Sequence, residues 1–158
     1  MKPKKILILG LGNILLGDEG VGVRVAQQLA AQPLPDEVEV IDGGTAGYEL
    51  LTFLEGREKV IIVDAIKADD TPGSIYKFPP SVLEEDSSVH LSLHQIGLRN
   101  VFKMALLMDI TPEVMLIGIV PKDYQSYRIG LSPEVEAAIP EVIKSIFQII
   151  VYDKGLKL

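Results

Sequence analysis

Short apolar runs alternate along this chain with stretches whose apolar residues recur at helical spacing. Lys5 to Leu9 reads as a strand buried on both faces, ending at Gly10. A glycine-punctuated loop, Gly10 to Gly22, leads into Val21 to Ala31, where Val21, Val25, Ala26 and Leu29 fall near one helical face. Pro33 and Pro35 stop that helix. Val38 to Ile41 reads as a second strand and Val60 to Val63 as a third, buried one, with a short helix over Tyr48 to Leu54 between them. Ser74 to Phe78 is a strand bracketed by Pro72-Gly73 and Pro79-Pro80, and Val82 to Ser92 is loop-like and acidic. Leu93 to Met108 is a helix carrying Ile96, Val101, Ala105 and Met108 on or near one face. Val114 to Val120 is a strand stopped by Pro121, and Pro133 to Val151 is a closing helix with Ser132 as N-cap. Pro140 lies within that helix and is expected to kink or split it. This alternation predicts an α/β fold of three layers, a mostly parallel twisted sheet of about five strands with helices on both faces. No domain boundary interrupts it, so residues 1–158 read as one domain.

The composition narrows the function. With 158 residues the chain can bury a core. A net charge of −7 disfavours sequence-independent binding to nucleic acid, which relies on Lys and Arg neutralising phosphates. The absence of cysteine excludes disulfides, thiolate metal sites and a cysteine nucleophile. Lys2, Lys4 and Lys5 ahead of Ile6 to Leu9 faintly resemble a signal peptide, but Gly10, Gly12 and Asn13 break the run and no cleavage site follows. No apolar stretch approaches the ~20 residues that span a bilayer. The expectation is a cytoplasmic, monomeric protein without a membrane or nucleic-acid partner.

In an open α/β sheet, ligands gather beyond the carboxyl ends of the strands. The residues at those ends are Gly10 to Asn13 with Asp18-Glu19-Gly20, then Asp42-Gly43-Gly44, then Asp64, and finally His94 ahead of the middle helix. Glu19, Asp64 and His94 form the best constellation: two carboxylates and an imidazole suit a borderline divalent metal and leave coordination positions open. Taken singly, each has a plainer reading, as a helix N-terminal acid, a turn residue and a structural histidine. Their shared topological position argues for a site. His90 precedes His94 by four residues, but Ser87, Ser88 and Ser92 suggest a loop, so a ligand role for it is the weaker reading. Asp18 reads as a loop charge rather than an accessory acid. For Asp42, holding its glycine loop and contacting substrate stand as equal readings. Leu15 occupies the place where a dinucleotide fingerprint needs its third glycine, and no Walker A, G-x-S-x-G or H-E-x-x-H motif is present. Hydrolysis by this chain would therefore have to involve a metal or carboxylates.

The runs GLGNILLGDEGVGVRV (Gly10 to Val25), VEVIDGGTAGYELL (Val38 to Leu51), IIVDAI (Ile61 to Ile66) and LHQIGL (Leu93 to Leu98) resemble the hydrogenase maturation endopeptidases. So do Leu116 to Pro121 and Ile129 to Pro133, and the likeness covers nearly the whole chain in order. The resemblance implies an endopeptidase that removes the C-terminal extension from the large-subunit precursor of a nickel–iron hydrogenase. It implies that nickel already inserted in that precursor is the recognition element, and that the resting enzyme is metal-free. The family's metal-contacting and catalytic positions fall on Glu19, Asp64 and His94. Aspartic-type and metal-assisted hydrolysis both stay open. Gly10-Leu11-Gly12-Asn13 also resembles the opening of peptidyl-tRNA hydrolases, but those need a histidine shortly afterwards, and here the next one is His90. A non-catalytic nickel carrier of the same fold is the other alternative.

Overall fold

The computed structural model describes residues 2–83 and 93–153, with side chains for 2–83 and 97–151. The strands are β1 (Ile6–Leu11), β2 (Val38–Gly44), β3 (Lys59–Ala65), β4 (Ile75–Phe78) and β5 (Glu113–Ile119). The helices are α1 (Val21–Ala30), α2 (Leu50–Leu54), α3 (Leu93–Leu107) and α4 (Pro133–Asp153). Two single turns of 3-10 helix, Gly17–Gly20 and Pro80–Leu83, complete the set. The five strands form one sheet in the order β2-β1-β3-β5-β4. All neighbours pair in parallel except β4, which lies antiparallel on the β5 edge. The expected three-layer α/β architecture is the one found.

Strand alternation divides the core in two. Ile6 and Ile8 of β1, with Ile61, Val63 and Ala65 of β3, face α1 and α4. Leu7, Leu9 and Leu11, with Val60 and Ile62, face α2 and α3. Both faces of β1 and β3 are therefore buried, which is why these segments read as unbroken apolar runs rather than alternating ones. The predicted stripe of α1 is borne out, since Val21, Val25, Ala26 and Leu29 are all buried. On α3 the buried residues are Leu98, Val101 and Ala105, whereas Met108 lies beyond the helix end and is exposed. The side chain of Ile96 lies outside the described set.

Two expectations for α4 need correction. The helix runs unbroken from Pro133 to Asp153 with Pro140 inside it, so Pro140 does not split it. Ser132 supplies the carbonyl that accepts the Glu136 N–H at 2.9 Å, but its hydroxyl donates to Asp18 instead of capping.

The helices determine which edge carries the chemistry. The chain leaves β1 for β2 on one side and returns through α2 to β3 on the other, so the topological switch point lies between β1 and β3. Close packing of α1 at this point depends on Gly22. A Cβ there would collide with the carbonyl oxygens of Val63 and Leu11. A Cβ on Gly10 would in turn strike the Gly22 carbonyl. The glycines after β1 thus bring a helix onto the sheet's carboxyl edge.

Candidate functional site

Asp64 is the sixth residue of β3, one step before the strand ends. It follows Val60 and Ile62 in strand parity, which puts its side chain on the face covered by α2 and α3. It is 4% exposed, and its Oδ1 accepts the Ala65 N–H at 2.8 Å. Its partner across the ladder is Gly118 of β5, and the space above that glycine is filled by Ile66. A carboxylate is thus held in a largely dry position at the carboxyl edge, where desolvation strengthens its attraction for a cation.

Glu19 lies in the 3-10 turn between β1 and α1 and is half-buried. Its N–H bonds the Leu16 carbonyl at 3.2 Å, and the turn packs against β3. Gly12, with φ of 137°, lets the chain pass beneath it, since a Cβ at Gly12 would strike the Glu19 carbonyl. His94 is the second residue of α3. That helix runs back to the start of β5, which is parallel to β3, so its first turn lies at the carboxyl edge of the sheet. It covers the face that carries Asp64. The side chain of His94 lies outside the described set, as does the whole of His90. Among the described residues no three His, Asp or Glu side chains are grouped to hold a metal ion. The topology therefore brings the segments carrying Glu19, Asp64 and His94 to one edge of the sheet.

Asp42 is exposed, and its Oδ1 accepts the Gly44 N–H at 2.9 Å. Gly44, with φ of 51°, presents its carbonyl to the Gly12 N–H at 2.8 Å. Asp42 therefore holds the glycine loop, and through it the start of the Glu19 loop.

The reading of Asp18 as a loop charge is wrong. Asp18 is completely buried. Its Oδ2 accepts the Lys122 and Asp123 N–H groups at 2.9 and 3.0 Å and the Ser132 hydroxyl at 2.8 Å, and its Oδ1 accepts the Ser132 N–H at 2.7 Å. Burial pushes its carboxyl upward. The bonds from Asp123, Ser132 and Lys122 outweigh that and leave it below the usual aspartate value. Around it the main chains interlock: Gly17 N–H bonds Arg128 O, Asp18 N–H bonds Asp123 O, and Arg128 N–H bonds Leu15 O, at 2.8, 2.8 and 2.9 Å. Asp18 thus fastens the Glu19 loop to the segment 121–132.

Known proteins resemble this chain over most of its length. The family described as hydrogenase maturation protease matches residues 23–149. The hydrogenase 2 maturation protease of Escherichia coli is 37% identical, covering 90% of this chain and 88% of its own. The hydrogenase expression/formation protein HupD of Rhodobacter capsulatus is 36% identical, covering 92% and 72%. Among solved structures, the hydrogenase maturating endopeptidase HybD of E. coli superposes with a TM-score of 0.84 at 35% identity, over 96% of this chain and 94% of that one. The [NiFe] hydrogenase maturation protease HybD of Thermococcus kodakarensis gives 0.78 at 29% identity, over 92% and 98%.

Proposed function

This chain belongs to the hydrogenase maturation protease family, and from that premise we propose that it removes the C-terminal extension of a nickel–iron hydrogenase large-subunit precursor once nickel has been inserted. The chain is a peptide-bond hydrolase. What it reads in its substrate is the nickel ion, through Glu19, Asp64 and His94. The observation that carries this reading is the convergence of three distant segments on one sheet edge, with Asp64 buried on the face that α3 covers.

The chemistry follows from the ligand types. Two carboxylates and an imidazole are hard-to-borderline donors and leave positions open, so they can complete the coordination of an ion that the precursor already holds. Nickel belongs to the substrate in this scheme, and the resting enzyme needs none. A precursor without nickel lacks that tether, which makes cleavage conditional on metal insertion. In this scheme the half-buried Glu19 or the buried Asp64 takes a proton from the attacking water at the scissile carbonyl. No helix among the described residues is long and apolar enough to cross a membrane. We place the reaction in the cytoplasm, with a monomeric enzyme.

The test compares nickel-loaded and nickel-free precursor with purified enzyme, following release of the C-terminal peptide by mass spectrometry. Only the loaded precursor should be cut. Equal cleavage of both would mean that the enzyme reads the tail sequence and not the ion. Stable binding of the loaded precursor with no peptide released would identify a carrier.

A further inference from the structure

Beside the Glu19 loop lies a surface that metal recognition does not explain. Leu16 and Arg128 form an isolated parallel β-bridge, closed by Arg128 N–H to Leu15 O and Gly17 N–H to Arg128 O. Leu15, Tyr127 and Ile129 flank the bridged pair in sequence, and the bridge brings their two segments side by side. They are 52%, 91% and 71% exposed, while Leu16 is only half-buried. Three large apolar side chains exposed together at the rim of a candidate site are unusual for a surface without a partner. The platform is also rigidly founded. Its two segments are fastened by the buried Asp18, which accepts from Lys122, Asp123 and Ser132 on one of them while belonging to the other. A surface held in place before anything binds loses little freedom on binding.

We infer that Leu15, Tyr127 and Ile129 form a docking platform for an apolar stretch of the large-subunit precursor, within the segment that carries the scissile bond. This rests on the reading of the chain as the processing enzyme of that precursor. The occupant follows from continuity: Leu15 lies on the same short loop as Glu19, so a precursor whose metal is held at Glu19 brings its own neighbouring residues close to the platform. Tyrosine at 91% exposure suits such a contact, because an aromatic ring contributes a large area with little rotamer freedom to lose. The ion then licenses cleavage, and the platform sets affinity for the peptide.

The experiment uses the full chain and its own nickel-loaded precursor. The variants Tyr127→Ser and Ile129→Ser, single and combined, are compared with wild type for precursor binding by calorimetry and for steady-state cleavage. Because both side chains are solvent-exposed, the fold should be retained, which circular dichroism checks. The combined variant should bind about tenfold more weakly and raise KM by a similar factor, with kcat within about twofold of wild type. Replacing the apolar residues flanking the scissile bond of the precursor by Ser should give the same penalty with wild-type enzyme and little further penalty with the double variant. Unchanged binding and KM in the double variant would overturn the platform, as would a wild-type enzyme that does not bind the precursor. Binding that depends on the platform, with no cleavage by wild type, would instead defeat the proteolytic reading and leave the platform standing.

Discussion

Asp64 and Asp18 are both buried carboxylates, and their unlike surroundings give them unlike expected responses to substitution. Asp64→Asn keeps shape and removes charge, so processing should fall by about a hundredfold or more while the unfolding midpoint barely moves. Asp18→Asn should do the reverse in emphasis. An amide has one acceptor oxygen where the carboxylate had two, so N–H donors of the 121–132 segment would face an amide nitrogen. A loss of about 3 kcal/mol by urea denaturation is expected. The sign of the pH dependence follows from the depressed carboxyl of Asp18. Its stabilisation is fully present above the ordinary aspartate value of 3.8 and is lost as pH falls through the lower folded value. Wild type should therefore lose stability below about pH 4 more steeply than Asp18→Asn, and matching acid profiles would remove Asp18 from that role. Strand-end reasoning selected Asp64 because a strand end is a local property of the sequence. It missed Asp18 because every partner of that carboxylate lies 104 to 114 residues away, beyond the reach of any local pattern.

Among the elements, those with the clearest periodicity were legible. The central strands β1 and β3 announced themselves as apolar runs, and α1 by its stripe, because burial on two faces and on one face leave different spacings. The edge was harder: β4 is short, with its two central residues exposed, and was found by its flanking turns rather than by hydrophobicity. Pro140 misled because a helix-breaking tendency of ~3 kcal/mol was set against no knowledge of packing. Ile139, Val142 and Ile146 are buried around it, and that burial favours a continuous helix. Gly22 offers a test at this scale. In a helix Ala is about 1 kcal/mol better than Gly. Here the added methyl would overlap main-chain oxygens of β1 and β3, an overpacking worth about 3 kcal/mol. Gly22→Ala should therefore be destabilising by about 2 kcal/mol, read from thermal unfolding. A stabilised variant would show that α1 can lift from the sheet at no penalty.

Across the whole molecule, the order β2-β1-β3-β5-β4 puts the switch point between β1 and β3, and the segments carrying Glu19, Asp64 and His94 collect at that edge. This much followed from the alternation of strands and helices, since parallel connections must return each strand end to the same edge. The apolar platform was not legible, because exposure of Leu15, Tyr127 and Ile129 is a property of the folded surface and not of their residue type. The fastening of residues 15–18 to residues 121–132 has a consequence in time as well as in space. A polypeptide emerging from the ribosome exposes its first strand early, yet the Glu19 loop acquires its anchors only after Ser132 has been made. Pulse-labelled hydrogen exchange during refolding should show the amides of Gly17 and Asp18 gaining protection no earlier than those of Lys122 and Ser132. Earlier protection would mean that the loop is ordered without its distant partners. A loop whose anchors come from residues more than a hundred positions downstream cannot settle while only the first strand and helix have been made, so its order is gained late relative to the elements that flank it.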